Sequence, residues 1–211
     1  MRSYGDRCGV ARALDLVGER WALLVVRELL LGPKRFTDLR AGLPGVGADV
    51  LAQRLRDLEA AGILLRRALG PPAGTRVYEL TEWGRELEPI VLGLGRWGSR
   101  APFPEGADAF SPDSFVIALK TLFEAGAARD AETYELALGA DRFRLDVRDG
   151  RLAASRGAAE AEPDALVLTD PATLAGVLWH GREAGEDELV VQGRRDAVQR
   201  LRRLFPAPAP V

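Results

Sequence analysis

Between Val46 and Gly62 the apolar residues Leu51, Leu55 and Leu58 recur at helical spacing, and Ile63 prolongs the run. Asp49, Gln53 and Arg56 fall on the opposite side, with Arg54 and Asp57 on its flanks. The pattern predicts a helix of about four turns with one anchored face and one face of hydrogen-bonding side chains. Gly47 is placed as a weak N-cap and Gly62 as the stop. Upstream, Ser3-x-x-Asp6 is a capping signal ahead of a helix over 8–17, where Val10, Ala11, Leu14 and Val17 repeat; Gly18 ends it. Residues 21–31 are apolar on nearly every side, which predicts a helix covered on both sides, and Gly32-Pro33 terminates it. A short helix over 36–43, with Phe36, Leu39 and Leu43 inward, then meets the turn Leu43-Pro44-Gly45. Two helices joined by a short Gly/Pro turn, the second with a polar outer face, form a helix-turn-helix candidate.

After Gly62 the period changes. Residues 63–68 are extended, 69–74 (LGPPAG) form a turn, and 75–80 return as a second strand with Arg66, Arg67 and Arg76 at or near the tip. A basic hairpin in that place reads as a wing. Thr81 caps a helix over 82–97 in which Leu87, Val91, Leu94 and Trp97 repeat, and Pro89 predicts a kink inside it. Residues 100–113 are rich in Pro, Gly and Ala and read as a linker. Beyond them lie a helix over 115–123 and strands over 134–138 and 142–148. The Asp149-Gly150 hairpin turn leads into 151–155, and another strand covers 165–169. Asp170-Pro171 opens a helix that runs to Trp179, followed by a strand over 188–192 and a helix over 195–205. The predicted fold class is α+β, with a winged helix-turn-helix first. The expected partition is 1–100 for that domain, 101–113 for the linker, 114–206 for the α+β domain and 207–211 for a Pro/Ala tail.

Composition narrows the function. With 47% hydrophobic and 28% charged residues in 211, the chain is globular and long enough for two cores. Its longest apolar run is too short to span a membrane, and the N-terminus lacks a secretory pattern, so a cytoplasmic protein is expected. Cys8, the only cysteine, excludes an internal disulfide, and His180, the only histidine, leaves no zinc constellation. His180 reads as a helix C-terminal cap. No phosphate loop and no nucleophile–base pair are present, so neither catalysis nor a cofactor is expected. The net charge is −2, yet residues 20–76 hold ten Lys/Arg against five Asp/Glu. Polyanion binding follows the local field rather than the sum.

The motifs Cys8-Gly-Val-Ala-Arg-Ala-Leu, Gly-Glu-Arg-Trp21, Arg27-Glu28-Leu, Arg35-Phe36-x-Asp38-Leu, Val50-Leu-x-x-Arg54-Leu-x-x-Leu-Glu-x-x-Gly62 and Tyr78-x-Leu-Thr-x-x-Gly84 arrive in order. Over about Asp6–Gly98 the chain resembles the HxlR-type winged-helix transcriptional regulators. It departs at Gly9, where the family usually has proline, and at Gly47, where a polar residue is expected. The resemblance implies a homodimer built on the first helix and the helix after the wing, with one recognition helix per subunit on a double-stranded DNA operator. Gln53 and Arg56 then face the major groove, where an amide suits adenine and a guanidinium suits guanine. Arg54 is read either as a phosphate contact or as the partner of Asp57 or Glu59. Asp49 complements the helix dipole or accepts from cytosine. Lys34, Arg35, Arg66 and Arg67 are candidate phosphate contacts, and Arg76 a candidate for a narrow minor groove. Some relatives sense oxidants through a cysteine at the place of Cys8, and Arg7 and Arg12 are positioned to lower its pKa.

Phe143-Arg-Leu-Asp-Val-Arg-Asp-Gly150, Pro163-Asp-Ala-Leu-Val-Leu-Thr-Asp170, Leu178-Trp-His-Gly181 and Leu189-Val-Val-Gln-Gly193 resemble the sterol-carrier-protein-like fold over about Ser114–Phe205. The resemblance implies an apolar cavity, with Phe115, Leu119, Leu122, Phe123, Leu174, Val177, Leu178 and Trp179 as candidate lining. The expected function is therefore a DNA-binding regulator acting as a homodimer on a two-fold-related operator, modulated by a hydrophobic small molecule. The alternatives are a thiol switch at Cys8 with a structural second domain, and a carrier of hydrophobic ligands.

Overall fold

In the computed structural model, which describes residues 3–68, 70, 75–102, 110–128, 130–159 and 161–209, helix α1 (Gly9–Val17) starts at Cys8. The capping signal is used differently from expectation. Asp6 accepts the Cys8 N–H at 2.9 Å, while the Ser3 hydroxyl donates to buried Asp15 at 3.0 Å, stapling the N-terminal segment onto α1. Helix α2 (Ala22–Leu29) buries Ala22, Val25, Val26 and Leu29 but leaves Leu24 exposed, so its cover is incomplete on one side. It begins at Trp21, held in the left-handed region at φ 78°, a conformation that a bulky side chain adopts only under strong local constraint.

Helix α3 (Phe36–Gly42) leads through the Pro44-Gly45 turn into α4 (Ala48–Ala60), and Gly62 at φ +72° takes the chain out of α4. Leu51, Leu55 and Leu58 are fully buried. Burying one leucine contributes roughly 1.5–3 kcal/mol, so this stripe fixes the rotation of α4 about its axis and therefore which side chains face out. Strands β1 (Leu64–Ala68) and β2 (Arg76–Leu80) pair antiparallel, Leu64 opposite Leu80 and Ala68 opposite Arg76. The Lys34 backbone exchanges two hydrogen bonds with Tyr78, adding the segment before α3 to the edge of β2.

Thr81 caps α5 (Glu82–Arg85) by accepting the Gly84 N–H and donates its own hydroxyl to the Gly62 carbonyl. A side chain at Gly84 would place its Cβ 2.0 Å from the Ile63 carbonyl, which explains the glycine. The helix expected over 82–97 is not kinked but divided, with α6 (Glu88–Gly98) starting anew. Pro89 sits in the first turn of α6, where its missing N–H would have had no helical partner.

The chain divides into two compact units, Met1–Val91 and Leu92–Val211. The turn expected over 69–74, Gly70 apart, and residues 103–109 of the expected linker lie outside the described residues, as do 1–2 and 210–211. In the second unit α7 (Pro112–Leu122) begins three residues before the helix read from sequence, because the Ser111 hydroxyl caps it through the Ser114 N–H. A five-stranded sheet follows, ordered β5-β4-β3-β6-β7. Its strands are β3 (Glu132–Leu138), β4 (Asp141–Arg148), β5 (Arg151–Arg156), β6 (Ala165–Thr169) and β7 (Val190–Gly193). Only β3 and β6 pair in parallel. Asp149 and Gly150, at φ 52° and 68°, make the primed turn that matches the twist of β4 and β5. Alternate residues Tyr134, Leu136, Leu138, Phe143, Leu145, Val147, Ala165 and Val167 are buried, as are Phe115, Leu119, Leu174, Leu201 and Phe205 from the helices. This is a mixed sheet with helices, an α+β unit.

Helix α8 (Pro171–Trp179) starts where Asp170 accepts the Thr173 N–H at 2.9 Å, and α9 (Ala197–Leu204) closes the unit. The hydrogen bonds from Thr173 hold the Asp170 carboxyl below its ordinary pKa. Asp170→Ala is expected to lower stability by about 1 kcal/mol, read by urea unfolding at pH 7. A depressed folded-state pKa stabilises above the unfolded value of about 3.9. The difference between the two proteins should therefore persist at neutral pH and fade as pH drops through the folded pKa. Equal stabilities at pH 7 would contradict the cap.

Candidate nucleic-acid interface

The outer face of α4 carries Asp49, Gln53 and Arg56, all exposed, on a helix anchored from below by its leucine stripe. Their side chains are not independent. Arg56 Nη2 donates to Gln53 Oε1 at 2.6 Å, and Gln53 Nε2 donates to Asp57 Oδ1 at 2.7 Å. Arg54, on the flank, is only 16% exposed and lies 3.2 Å from Asp57 Oδ2 and 3.8 Å from Glu19 Oε2. Of the two readings of Arg54, the geometry gives carboxylate pairing, with Asp57 and Glu19 rather than Glu59.

Lys34 is a correction to the expected phosphate contacts. It is buried, and its Nζ donates at 2.6 Å to Glu28 Oε2, itself fully buried on α2. An ammonium held in that pair has no path to a phosphate. Arg35, next to it, is exposed, and its N–H is accepted by Asp38 at 3.3 Å, which fixes the first turn of α3. On the hairpin, Arg66 lies over the Tyr78 ring at 5.1 Å and donates to its hydroxyl at 2.9 Å. Arg67 is exposed and donates to Glu79 at 2.6 Å, and Glu79 also accepts from Arg85 at 3.0 Å. Arg76 is exposed at the first position of β2. The structure thus brings Arg35, Gln53, Arg56, Arg66, Arg67 and Arg76 to the surface of the first unit and holds Lys34 and Arg54 in ion pairs with little exposure.

Cys8 is exposed at the N-cap of α1. The Ala11 and then the Val10 N–H groups hold its thiol below the usual range, so the lowering comes from backbone amides and not from Arg7 or Arg12. Alkylation by iodoacetamide is therefore expected to rise with pH around a midpoint lower than the value for the same thiol in the urea-unfolded chain. A midpoint at or above that value would refute the effect.

The apolar residues read as cavity lining lie in the second unit. Phe115, Leu119, Leu174, Val177 and Leu178 are buried there; Leu122, Phe123 and Trp179 are half-buried. They pack on one another and on neighbours. The Phe115 and Trp179 rings are 5.5 Å apart, Phe110 stands against both, Phe123 lies 6.0 Å from Phe205, and Trp179 Nε1 donates to the Phe205 carbonyl. His180 is exposed at the C-cap of α8. Among the described residues, no helix is long and apolar enough to cross a membrane.

Two helices joined by a tight turn, followed by a two-stranded hairpin, define a winged helix-turn-helix of the DNA-binding kind. The profile of the HxlR-like helix-turn-helix family matches residues 16–104. The chain is 36% identical over 89 residues to the uncharacterized HTH-type transcriptional regulator YvaP of Bacillus subtilis, covering 42% of this chain and 82% of YvaP. It is 42% identical over 98 residues to the uncharacterized regulator Rv3095 of Mycobacterium tuberculosis, covering 46% of this chain and 61% of the relative. The solved structure of the redox regulator HypR in its oxidized form is 37% identical and matches 46% of this chain and all of that one, at a TM-score of 0.42. The chain belongs to the HxlR-like helix-turn-helix family and is a DNA-binding transcription regulator.

Proposed function

We propose that the protein regulates transcription as a homodimer whose two copies of α4 enter successive major grooves of a two-fold-related operator. The observation that carries this reading is the outward face of α4: Gln53 and Arg56 are exposed on a helix whose opposite side is fully buried. Gln53 suits adenine and Arg56 suits guanine, while Arg35, Arg66 and Arg76 bind phosphates or the minor groove around them. Half-sites would lie about 34 Å apart.

Double-stranded DNA selected from a random library on the full chain supplies the operator for the test. Gln53→Ala and Arg56→Ala should each cost about 1–3 kcal/mol on that operator and relax the preference at one base pair per half-site. Arg76→Ala should weaken all sequences alike and reduce the salt slope by about 1. Binding profiles unchanged by all three substitutions would remove α4 and the wing from the interface.

The second unit, read as a sterol-carrier-protein-like module, is proposed to receive a hydrophobic effector near the Phe110, Phe115 and Trp179 rings. An effector alters operator affinity only by binding two conformations unequally. Native mass spectrometry of the purified protein, looking for a retained apolar molecule, tests this. A second reading is favoured by the exposed, acidified thiol of Cys8: oxidation there modulates DNA binding. Diamide should then change operator affinity of the wild type and leave Cys8→Ser unaffected.

A further inference from the structure

We infer that Asp57, which is turned to the flank of α4, determines which base pair Gln53 selects by fixing the polarity of the Gln53 amide. The inference rests on the reading of α4 as the base-contacting helix. A glutamine amide has two nearly isosteric ends, and free rotation would present donor and acceptor in either order. Here its two neighbours remove that freedom. The Asp57 carboxylate only accepts, and it takes the Gln53 Nε2 proton at 2.7 Å. The Arg56 guanidinium only donates, and it gives to Gln53 Oε1 at 2.6 Å. The amide therefore has one orientation, with nitrogen toward Asp57 and oxygen toward Arg56.

That leaves Gln53 with one N–H and one lone pair side by side, the donor–acceptor pair that complements adenine N7 and N6. Asp57 is itself anchored. Its other oxygen lies 3.2 Å from Arg54 Nη2, and the Arg54 side chain is mostly buried and reaches Glu19 in the connection before α2. Gln53 is thus oriented from within the domain through Arg54 and Asp57, neither of which needs to touch DNA. Asp57 is a positioning residue, and its carboxylate also opposes the phosphates, so its loss separates affinity from selectivity.

The test compares full-length wild type, Asp57→Asn, Asp57→Glu and Gln53→Ala on the selected operator and on the set of duplexes carrying every single base-pair change. Asp57→Asn offers an amide that both donates and accepts, so only Arg56 still favours one orientation of the Gln53 amide. The preference at its base pair should fall about tenfold, while affinity for unrelated DNA stays equal or rises. Asp57→Glu keeps the acceptor and should restore most of the preference. Thermal unfolding of each variant separates lost orientation from lost folding. If Gln53→Ala changes the profile and Asp57→Asn leaves it as in the wild type, the positioning role is wrong and the interface stands. A profile indifferent to Gln53→Ala overturns both.

Discussion

Glu28→Ala is expected to destabilise the N-terminal unit by about 3–5 kcal/mol, the range for removing one member of a buried ion pair. Glu28 is fully inaccessible on α2 and accepts from Lys34 at 2.6 Å and from Arg27 at 2.9 Å. Without it, two cationic groups are left with their desolvation less well compensated. The pair also has a positional role. Lys34 lies where the chain turns from α2 toward α3, and its backbone is bonded to Tyr78 of the wing. Glu28 therefore links α2, the start of the helix-turn-helix and β2. It further explains Gly42 at the end of α3, where a Cβ would lie 2.3 Å from Glu28 Oε2. Urea unfolding followed by far-ultraviolet circular dichroism checks the value, and a loss below about 1 kcal/mol, the level of a surface pair, would contradict it.

The second large effect concerns assembly. Helix α6 buries none of its residues, and Ile90, Leu94 and Trp97 stand exposed along it at spacings of four and three; Val10 and Leu14 are exposed at the same kind of spacing on α1. Large apolar side chains in such stripes are the mark of an interface, and the proposed dimer places them between the copies. Leu94→Asp combined with Trp97→Asp should yield a monomer by analytical ultracentrifugation. Two linked half-sites bind far more tightly than one, so operator affinity should fall on the order of 10²-fold. Retention of the wild-type sedimentation coefficient and affinity would show that these residues do not hold the dimer.

What the sequence disclosed and what it concealed follow from the range of the interactions. Helix α8 was legible to the residue because Asp170 and Pro171 encode its start locally. The outward face of α4 followed from leucine spacing alone. The break between α5 and α6 was not legible: a proline announces a disturbance, but whether the helix bends or restarts depends on how Thr81 and Gly84 dock on Ile63 and Gly62. Lys34 misled because it adjoins exposed Arg35, while the carboxylate that withdraws it lies on another helix. The surface pairing of Arg67 was not legible either. Its partner Glu79 is on the facing strand, and only the hairpin register brings the two together.

The proposed operator recognition rests on Gln53 and Arg56 reading base edges in the major groove. Methylation interference on the selected operator tests this most directly, since a methyl on guanine N7 projects into that groove. The expected result is one blocking guanine in each half-site for the wild type, with Arg56→Ala binding weakly but no longer sensitive at that position. Guanine methylation without effect on wild-type binding, or the same interference pattern in Arg56→Ala, would contradict it.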